Sequence, residues 1–394
     1  MKKLTIGLFG FGTVGQGLYT VLQNSKTVDA QIKRICIKNK DKKRSVDAHL
    51  FTANAADILD DPEINLVVEL IDNANDAYAI VKGAMQRGKS VVSGNKTMLA
   101  FHLQEMIELQ QRHNVALLYD ASACGSIPVI RNLEEYYDND LLTSLTGILN
   151  GSSNYILTKI FQEGDTYTHA LKEAQDLGFA ESNPTFDVDG FDSLYKLVIL
   201  TLHAFGTIVN PNEVFNFGIS NLQPCDIQFA REKGRRIKLV ARVGKVNNDT
   251  ITLYVMPRML TPDLYIYGVE DEYNGVVIRG KYYDKQFMFG KGAGALPTGS
   301  AVLSDITAQF HDYRYEYKKY NEPTPPHYVT NNEVEVYLRY NNSKDFEQFV
   351  FTEIFEKYSS KEYSYVIGKI PLCNLLSIKH LIPKMDIFLA TMRS

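Results

Sequence analysis

The sequence lacks the features of a membrane-spanning, secreted or nucleic-acid-binding chain. No run of about 18 apolar residues occurs, which argues against a membrane-spanning helix. The N-terminal apolar run is broken by glycines and has no A-x-A cleavage site, so we interpret it as a strand and not as a signal peptide. Basic and acidic residues nearly balance, at 42 against 46, so the chain as a whole has no electrostatic reason to bind nucleic acid or an anionic membrane.

Cysteine is also scarce. The four cysteines lie far apart, with no C-x-x-C pair and no disulfide-scaffold spacing, so we expect a reducing compartment and a cytoplasmic protein. The composition, 45% apolar and 22% charged, is that of an ordinary globular protein and excludes a largely disordered chain. A length of 394 residues predicts two or three domains.

The first third of the chain alternates short apolar runs with helical patterns. Runs at residues 4–9, 32–37, 65–71, 90–93 and 115–119 predict strands. Neighbouring parallel strands need crossover connections, and the crossover helices cover the sheet, so this alternation predicts a parallel α/β sheet with helices on both faces.

A glycine-rich turn lies between the first predicted strand and the helix after it. In this G-x-G-x-x-G pattern, Gly10 permits the turn, Gly12 lets the backbone approach a pyrophosphate, and Gly15 lets helix and strand pack closely. The helix N-terminus offers its N–H groups to the anion. We therefore predict dinucleotide binding by Gly10, Phe11, Gly12, Thr13, Val14 and Gly15. The alternative is a glycine-rich turn that binds nothing.

The end of the second strand bears on the choice between NAD and NADP. An acidic residue there would hold the ribose 2′-OH of NAD, whereas basic residues would accept the 2′-phosphate of NADP. The strand ends at Lys38, and residues 33–44 contain seven basic residues against one acid, Asp41. We expect NADP(H) to be favoured over NAD(H), with Lys38 in contact with it. A solvated, lysine-rich surface loop is the alternative.

An acid-rich stretch at residues 178–192 leads into a strongly apolar helical segment that carries Lys196. Asp192 suits the N-cap or first turn of this helix, and Lys196 follows four residues later on the same face. A lysine on a buried helix must pair with a carboxylate or lose its proton, and this tension makes a lysine a proton donor. An exposed ion pair at this spacing is the alternative.

Six segments, in sequence order, resemble homoserine dehydrogenases. They are the glycine turn, V-V-S-G-N-K-T-M-L-A (91–100), Y-D-A-S-A-C-G-S-I-P (119–128), G-I-L-N-G-S-S-N-Y-I-L-T-K (147–159), the acidic stretch up to Lys196, and G-K-G-A-G-A-L-P-T-G-S-A-V (290–302). The resemblance spans residues 1–320. It implies an NAD(P)-dependent oxidoreductase of the CH–OH group, which interconverts L-aspartate 4-semialdehyde and L-homoserine in threonine and methionine biosynthesis.

The resemblance also implies roles for individual residues. Lys196 would protonate the alkoxide that hydride transfer leaves, and Asp192 would position this lysine. Lys96, which follows Gly94 and Asn95 where the family has its A-N-K motif, would lie by cofactor and substrate and stabilise the developing oxyanion. Further implied contacts are those of Glu181 and Asp187 with the substrate and of Gly292 with the nicotinamide.

Family members also hold a monovalent cation, sodium or potassium, through oxygen ligands, which suit a hard cation. By position the ligands here would be Asp120, Ala123, Gly125 and Ile127. Asp120 stands where the family usually has glutamate, and its side chain, one methylene shorter, would reach the cation through water. Cys124 replaces the usual glycine. A thioester-forming role for Cys124 is an alternative that the absence of a neighbouring histidine disfavours.

We expect three parts in the chain: a Rossmann-type cofactor domain, an α+β catalytic and dimerisation domain, and a small α/β C-terminal module. Their predicted ranges are 1–130 with about 300–320, 131–299, and 327–394. In the module we predict strands at 333–340, 363–370 and 385–391 and a helix at 345–358. This pattern is a strand short of the amino-acid-sensing ACT domain of some family members, so we favour a structural or oligomerising role over regulation.

We further expect a monofunctional enzyme that forms a homodimer or homotetramer and binds a small-molecule substrate. Two other classes stay open: a different NADP-linked oxidoreductase on a similar two-domain plan, and a catalytically silent sensor of NADP and an amino acid. The presence of both lysines, Lys96 and Lys196, argues against the silent sensor. So does that of the three matched acids, Glu181, Asp187 and Asp192.

Overall fold

The computed structural model describes residues 3–39, 44, 46–180 and 182–392. The chain divides into two compact units. The first contains the residues up to Asp138 together with Lys291–Lys318, and the second contains Asn139–Gly290 and the residues from Lys319 onward. No described helix has both the length and the apolar character that crossing a membrane requires.

The first unit alternates strands and helices, as the sequence predicts. Its elements up to residue 138 are β1 (Leu4–Phe9), α1 (Thr13–Asn24), β2 (Ala30–Cys36), β3 (Phe51–Thr52), α2 (Ala56–Leu59), β4 (Leu66–Glu69), α3 (Ala74–Gln86), β5 (Ser90–Ser93), α4 (Lys96–His113), β6 (Leu117–Leu118), α5 (Ala121–Cys124) and α6 (Val129–Glu135). Within the described residues, six strands pair in the order β3-β2-β1-β4-β5-β6, all parallel. The prediction of a Rossmann-type sheet is confirmed.

The strand order of this sheet reverses at β1. Ile6 in β1 pairs with Ile32 of β2 on one side and with Leu66 of β4 on the other. Strands β4 and β5 are buried throughout, as expected for a sheet that helices cover on both faces. In sheets of this kind, ligands bind in the crevice at the carboxyl ends of the strands where the order reverses.

The second unit begins with an α+β arrangement. Its elements up to residue 291 are β7 (Leu142–Ile148), α7 (Gly151–Thr158), α8 (Tyr167–Asp176), α9 (Thr185–Val188), α10 (Phe191–Phe205), β8 (Phe215–Asn216), α11 (Pro224–Glu232), β9 (Arg236–Lys245), β10 (Thr250–Leu260), β11 (Tyr273–Gly280) and β12 (Asp284–Lys291). In this part of the second unit, short 3-10 turns lie at Pro211–Glu213 and Tyr265–Gly268, and a π turn lies at Lys159–Glu163. Two further 3-10 turns lie elsewhere in the chain, at Ala48–Leu50 and Ile382–Lys384.

The chain then returns to the first unit as α12 (Ala295–Phe310), which packs against α1. The two helices approach so closely that a Cβ at Gly17 would lie 1.9 Å from the carbonyl oxygen of Ala295. A Cβ at Gly299 would lie 2.6 Å from the carbonyl carbon of Gly17. Glycine at both positions therefore permits this contact.

The C-terminal residues extend the sheet of the second unit. Their elements are β13 (His327–Tyr328), β14 (Glu333–Tyr340), α13 (Ser343–Phe346), β15 (Glu353–Ser359), β16 (Ser364–Pro371), α14 (Leu372–Ile378) and β17 (Ile387–Thr391). The order along the described sheet is β12-β11-β7-β9-β10-β17-β14-β16-β15. A parallel pairing of Arg258 in β10 with Thr391 in β17 joins the C-terminal strands to the rest.

The helix predicted at residues 345–358 is wrong. The prediction that the C-terminal module is a strand short is wrong with it, because the described residues from Glu333 onward form four strands, β14 to β17, where three were predicted. The segment at 345–358 holds only the end of the short helix α13, and Glu353–Ser359 forms β15, which pairs antiparallel with β16. Apolar or aromatic residues recur at helical spacing in this segment, at Phe346, Val350, Ile354 and Tyr358. Pairing with β16 overrides this helical spacing, because tertiary contacts outweigh local pattern in a short segment.

Candidate active site

The glycine turn links β1 to α1. Gly10 has a φ of +92°, and its N–H donates to the carbonyl of Cys36 at 3.0 Å. A Cβ at Gly15 would lie 2.5 Å from the carbonyl oxygen of Gly10, whereas a Cβ at Gly12 would meet nothing within 4 Å. Gly12 is the N-cap of α1 and no side chain caps the helix. The turn thus leaves open space beside a helix N-terminus, which fits a pyrophosphate. Phe11, Thr13 and Val14 complete this turn and the start of α1.

The basic segment after β2 has acidic and backbone partners. Lys38 is largely exposed, and its Nζ lies 2.7 Å from Oδ2 of Asp76, which raises the pKa of the lysine. Arg44 donates from Nη2 to the carbonyl of Asn39 at 2.9 Å. The predicted basic residues Lys40, Lys42 and Lys43, and the acid Asp41, lie outside the described residues.

Lys96 is the first residue of α4 and is partly buried. Asn95 caps this helix, because its Oδ1 accepts the N–H of Met98 at 2.8 Å. The Asn95 Nδ2 donates to the carbonyls of Ile71 at 3.0 Å and Asp72 at 3.3 Å, in the loop after β4. Asn95 therefore ties the start of α4 to the carboxyl end of the neighbouring strand.

Asp120, the predicted cation ligand, caps a helix. Its Oδ1 accepts the N–H groups of Ile130 at 2.9 Å and Arg131 at 3.4 Å, at the start of α6. Its own N–H donates to Oδ2 of Asp305 at 3.0 Å. Burial and the negative charge of Asp120 raise the pKa of Asp305, while the guanidinium of Arg131, 3.0 Å away, opposes this shift.

The other predicted cation ligands lie in the buried turn after Asp120. Gly125 has a φ of +57°, and a Cβ there would lie 2.5 Å from the carbonyl carbon of Gly292. The carbonyl of Ile127 accepts the N–H of Val129 at 2.8 Å. This segment offers backbone carbonyls and one carboxylate, and by donor type these groups fit a hard monovalent cation. The turn also brings the backbone of Gly292, the predicted nicotinamide contact, against that of Gly125.

Lys196 lies on α10 in the second unit. The helix follows Gly190, whose φ is +83°, and Asp192 is in its first turn, as predicted. The Lys196 Nζ lies 2.7 Å from Oδ2 of Asp192 and donates to the carbonyl of Leu149 at 2.7 Å. Only 8% of Lys196 and 3% of Asp192 is exposed. The surface ion pair is therefore excluded, and the lysine is buried with a carboxylate.

Asn150 joins the two described acids of this site. Its Nδ2 donates to Oδ1 of Asp187 at 2.7 Å and to Oδ2 of Asp192 at 2.9 Å. Its Oδ1 accepts the N–H of Ser153 at 2.8 Å and so caps α7. Sequence reasoning missed this residue, although asparagine before G-S-S is a typical N-cap pattern. Glu181, the other predicted substrate ligand, lies outside the described residues.

A second asparagine, Asn274 in β11, also belongs to this site. Its Nδ2 donates at 3.1 Å to the carbonyl of Leu149, the same oxygen that Lys196 contacts. Nothing in the sequence singled out Asn274, because it lies far along the chain from Leu149. The site thus holds an ammonium group between a carboxylate and a carbonyl, each supported by an asparagine. A lysine held in this way can donate a proton as the ammonium and accept one as the neutral amine.

Known proteins resemble most of the chain in sequence. A family model described as "Homoserine dehydrogenase" matches residues 128–307, and one described as "Homoserine dehydrogenase, NAD binding domain" matches residues 10–120. The homoserine dehydrogenase of Bacillus subtilis (strain 168) is 34% identical over 323 residues, which are 80% of this chain and 74% of that protein.

Solved structures agree. A homoserine dehydrogenase from Thiobacillus denitrificans superposes with a TM-score of 0.84 and 30% identity, covering 100% of this chain and 99% of that one. A hyperthermophilic archaeal homoserine dehydrogenase in complex with NADPH superposes with a TM-score of 0.68 and 26% identity. The match covers 80% of this chain and 99% of that one. The resemblance found in the sequence is confirmed. The chain belongs to the homoserine dehydrogenase family and catalyses the NAD(P)-dependent interconversion of L-aspartate 4-semialdehyde and L-homoserine.

Proposed function

We propose that Lys196 exchanges the proton on the substrate oxygen. In the reductive direction the reduced nicotinamide, when bound, supplies a hydride to the aldehyde carbon. The oxygen then carries a negative charge, and the Lys196 ammonium gives it a proton and becomes a neutral amine. In the oxidative direction the neutral amine takes the proton from the hydroxyl of homoserine.

The observation that carries this proposal is the buried contact set of Lys196. An ammonium has three donor hydrogens, and among the described residues it donates to Asp192 and to the carbonyl of Leu149. A third hydrogen can therefore go to a substrate oxygen. Asp192 positions the lysine, and Asn150 and Asn274 hold the two acceptors in place.

We assign binding of the substrate's amino and hydroxyl ends to Asp187 and Glu181. Asp187 is partly buried, and its Oδ1 is fixed by Asn150, so the carboxylate is oriented before substrate arrives. A carboxylate held in this way suits an ammonium group, since charge-assisted hydrogen bonds are the stronger ones.

We assign cofactor binding to the glycine turn, Lys96 and Gly292. The uncapped N-terminus of α1 suits the pyrophosphate. Lys96, at the start of α4, would stabilise the developing oxyanion. Lys38 would contact a 2′-phosphate, and on this contact we base the preference for NADP(H). An archaeal relative was solved in complex with NADPH.

We also propose a sodium or potassium site formed by Asp120, Ala123, Gly125 and Ile127, and a homodimeric or homotetrameric enzyme. The oxygen donors of the turn at 120–127 and their closeness to Gly292 support the cation site. Adding sodium or potassium to cation-free enzyme should raise turnover, and turnover that does not respond to either ion would contradict the site.

Chemical rescue tests the role of Lys196. We expect Lys196→Ala to lose about 10²- to 10⁴-fold in turnover, the usual contribution of a general acid, while NADPH still binds. A small primary amine such as ethylamine should restore part of the turnover, because it can occupy the vacated space and carry the proton.

A second buried lysine provides the control. Lys238 is 2% exposed and pairs with Glu270 at 3.0 Å, also in the second unit. Amines should not change the turnover of Lys238→Ala. Equal rescue of both variants, no rescue of Lys196→Ala, or loss of NADPH binding in it would contradict the assignment.

A further inference from the structure

A buried glutamate stands at the carboxyl end of β4. Glu69 is wholly buried, and its backbone pairs with Phe9, the last residue of β1 before the glycine turn. Because the strand order reverses between these strands, their carboxyl ends border the crevice in which such sheets bind ligands. The proposed chemistry does not use this side chain.

The side chain of Glu69 joins two loops. Its Oε1 accepts the N–H of Ile71 at 2.8 Å, in the loop after β4. Its Oε2 accepts the hydroxyl of Ser93 at 2.6 Å, at the end of β5. The Ser93 oxygen in turn accepts the N–H of Asn95 at 3.2 Å. Since Asn95 donates back to the carbonyls of Ile71 and Asp72, the hydrogen bonds form a closed ring.

This ring sets the start of α4. Asn95 caps the helix, and Lys96 is the residue that follows it. We propose that Glu69 is a positioning residue that fixes Lys96 in the cofactor crevice by clamping the loops after β4 and β5 together. The inference rests on the oxyanion-stabilising role proposed for Lys96.

The cost of burying a carboxyl group supports a specific use for it. Burial raises the pKa of Glu69 to about 7, and the negative charge of Asp72 adds to the shift, although Ser93 and Ile71 oppose it. An apolar residue would suit the interior of β4 without this desolvation penalty. An ionised carboxylate, however, offers two acceptor oxygens, and here each oxygen holds a different loop.

Glu69→Gln is the matched change, because it keeps the shape but leaves one acceptor oxygen for two donors. Ser93→Ala cuts the same ring one step further on. We expect both to lower the turnover number about tenfold to hundredfold, since small displacements of a catalytic group cost this much. The KM for homoserine should change less than the turnover number.

Lys89→Met is the control for a purely structural effect. Lys89 is also buried and donates to the carbonyls of Asp61 at 2.6 Å and Ile64 at 2.7 Å, where the chain enters β4. This variant should lose stability and keep its turnover number.

A double variant separates the inference from the role of Lys96. If Glu69 acts through Lys96, adding Glu69→Gln to Lys96→Met should cause no further loss of turnover. Additive losses, or a Glu69→Gln enzyme as active as the wild type, would overturn the inference and leave the role of Lys96 standing. A fully active Lys96→Met enzyme would overturn both.

Discussion

Replacing Asn150 with aspartate should make the stability of the protein steeply pH-dependent. Asn150→Asp keeps the oxygen that caps α7, because aspartate is as good an N-cap as asparagine. It exchanges the amide donor, which lies 2.7 Å from Asp187 and 2.9 Å from Asp192, for a carboxylate oxygen. Three carboxylates would then meet around one buried point.

The size of this effect follows from the distances. Two charges about 2.8 Å apart repel by about 6 kcal/mol at an effective dielectric constant of about 20, so the cluster will bind a proton instead. The raised pKa in the folded state means that folding takes up this proton, and stability is lost as the pH rises. Each pH unit between the ordinary aspartate pKa and the raised pKa should lower the free energy of unfolding by about 1.4 kcal/mol. Between about pH 6 and about pH 8 the loss is about 3 kcal/mol.

Urea unfolding of the wild type, Asn150→Asp and Asn150→Ser at these two pH values measures the difference. Serine keeps a cap but adds no charge, so Asn150→Ser should be destabilised by a similar amount at both pH values. Turnover by Asn150→Asp should also fall, because Asp192 loses the amide donor of Asn150 that helps to position it beside Lys196. If Asn150→Asp showed the same free energy of unfolding relative to the wild type at both pH values, the placement of Asn150 between the two acids would be refuted.

Three further predictions concern other parts of the molecule. Asp76→Asn removes the ion pair of Lys38 and should tighten NADPH binding about two- to fivefold, with NADH binding unchanged. Titration with each cofactor measures this, and an equal gain for both would argue against a 2′-phosphate contact. Arg339→Met leaves the buried carboxylate of Asp226 without its guanidinium and should cost about 3–5 kcal/mol in urea unfolding, whereas an unchanged midpoint would contradict the buried pair. Burial raises the pKa of Glu69 to about 7, so its contribution to stability should decline by about 3 kcal/mol as the pH rises from about 4.5 to about 7. The free energy of unfolding of Glu69→Gln should lack this decline with pH.

Local patterns in the sequence predicted the parts of the site that are local in the chain. The glycine turn, the alternation of strands and helices, and the pair of Asp192 and Lys196 at i,i+4 spacing all depend on neighbours within one or two elements. The apolar residues along α10 favoured burial of Lys196, but the sequence also allowed an exposed ion pair, and only the packing of the helix decides between the two.

Contacts between distant segments could not be read in the same way. Asn274 reaches the carbonyl of Leu149 across 125 positions, and Lys38 pairs with Asp76 across 38. Asp120 was singled out as a cation ligand, but its role as the cap of α6 depends on a turn that brings Ile130 back to it. The helix predicted at residues 345–358 failed for the same reason, since its strand partner β16 lies later in the chain.

The most direct test of the account is oxidation of L-homoserine by the purified protein, with NADP and NAD in parallel and the reduced nicotinamide followed by its absorbance. We predict that reduced cofactor forms only when homoserine is present and forms faster with NADP. Formation of no reduced cofactor under any condition, with NADPH binding intact, would contradict the assigned reaction and favour a protein that binds its ligands without converting them.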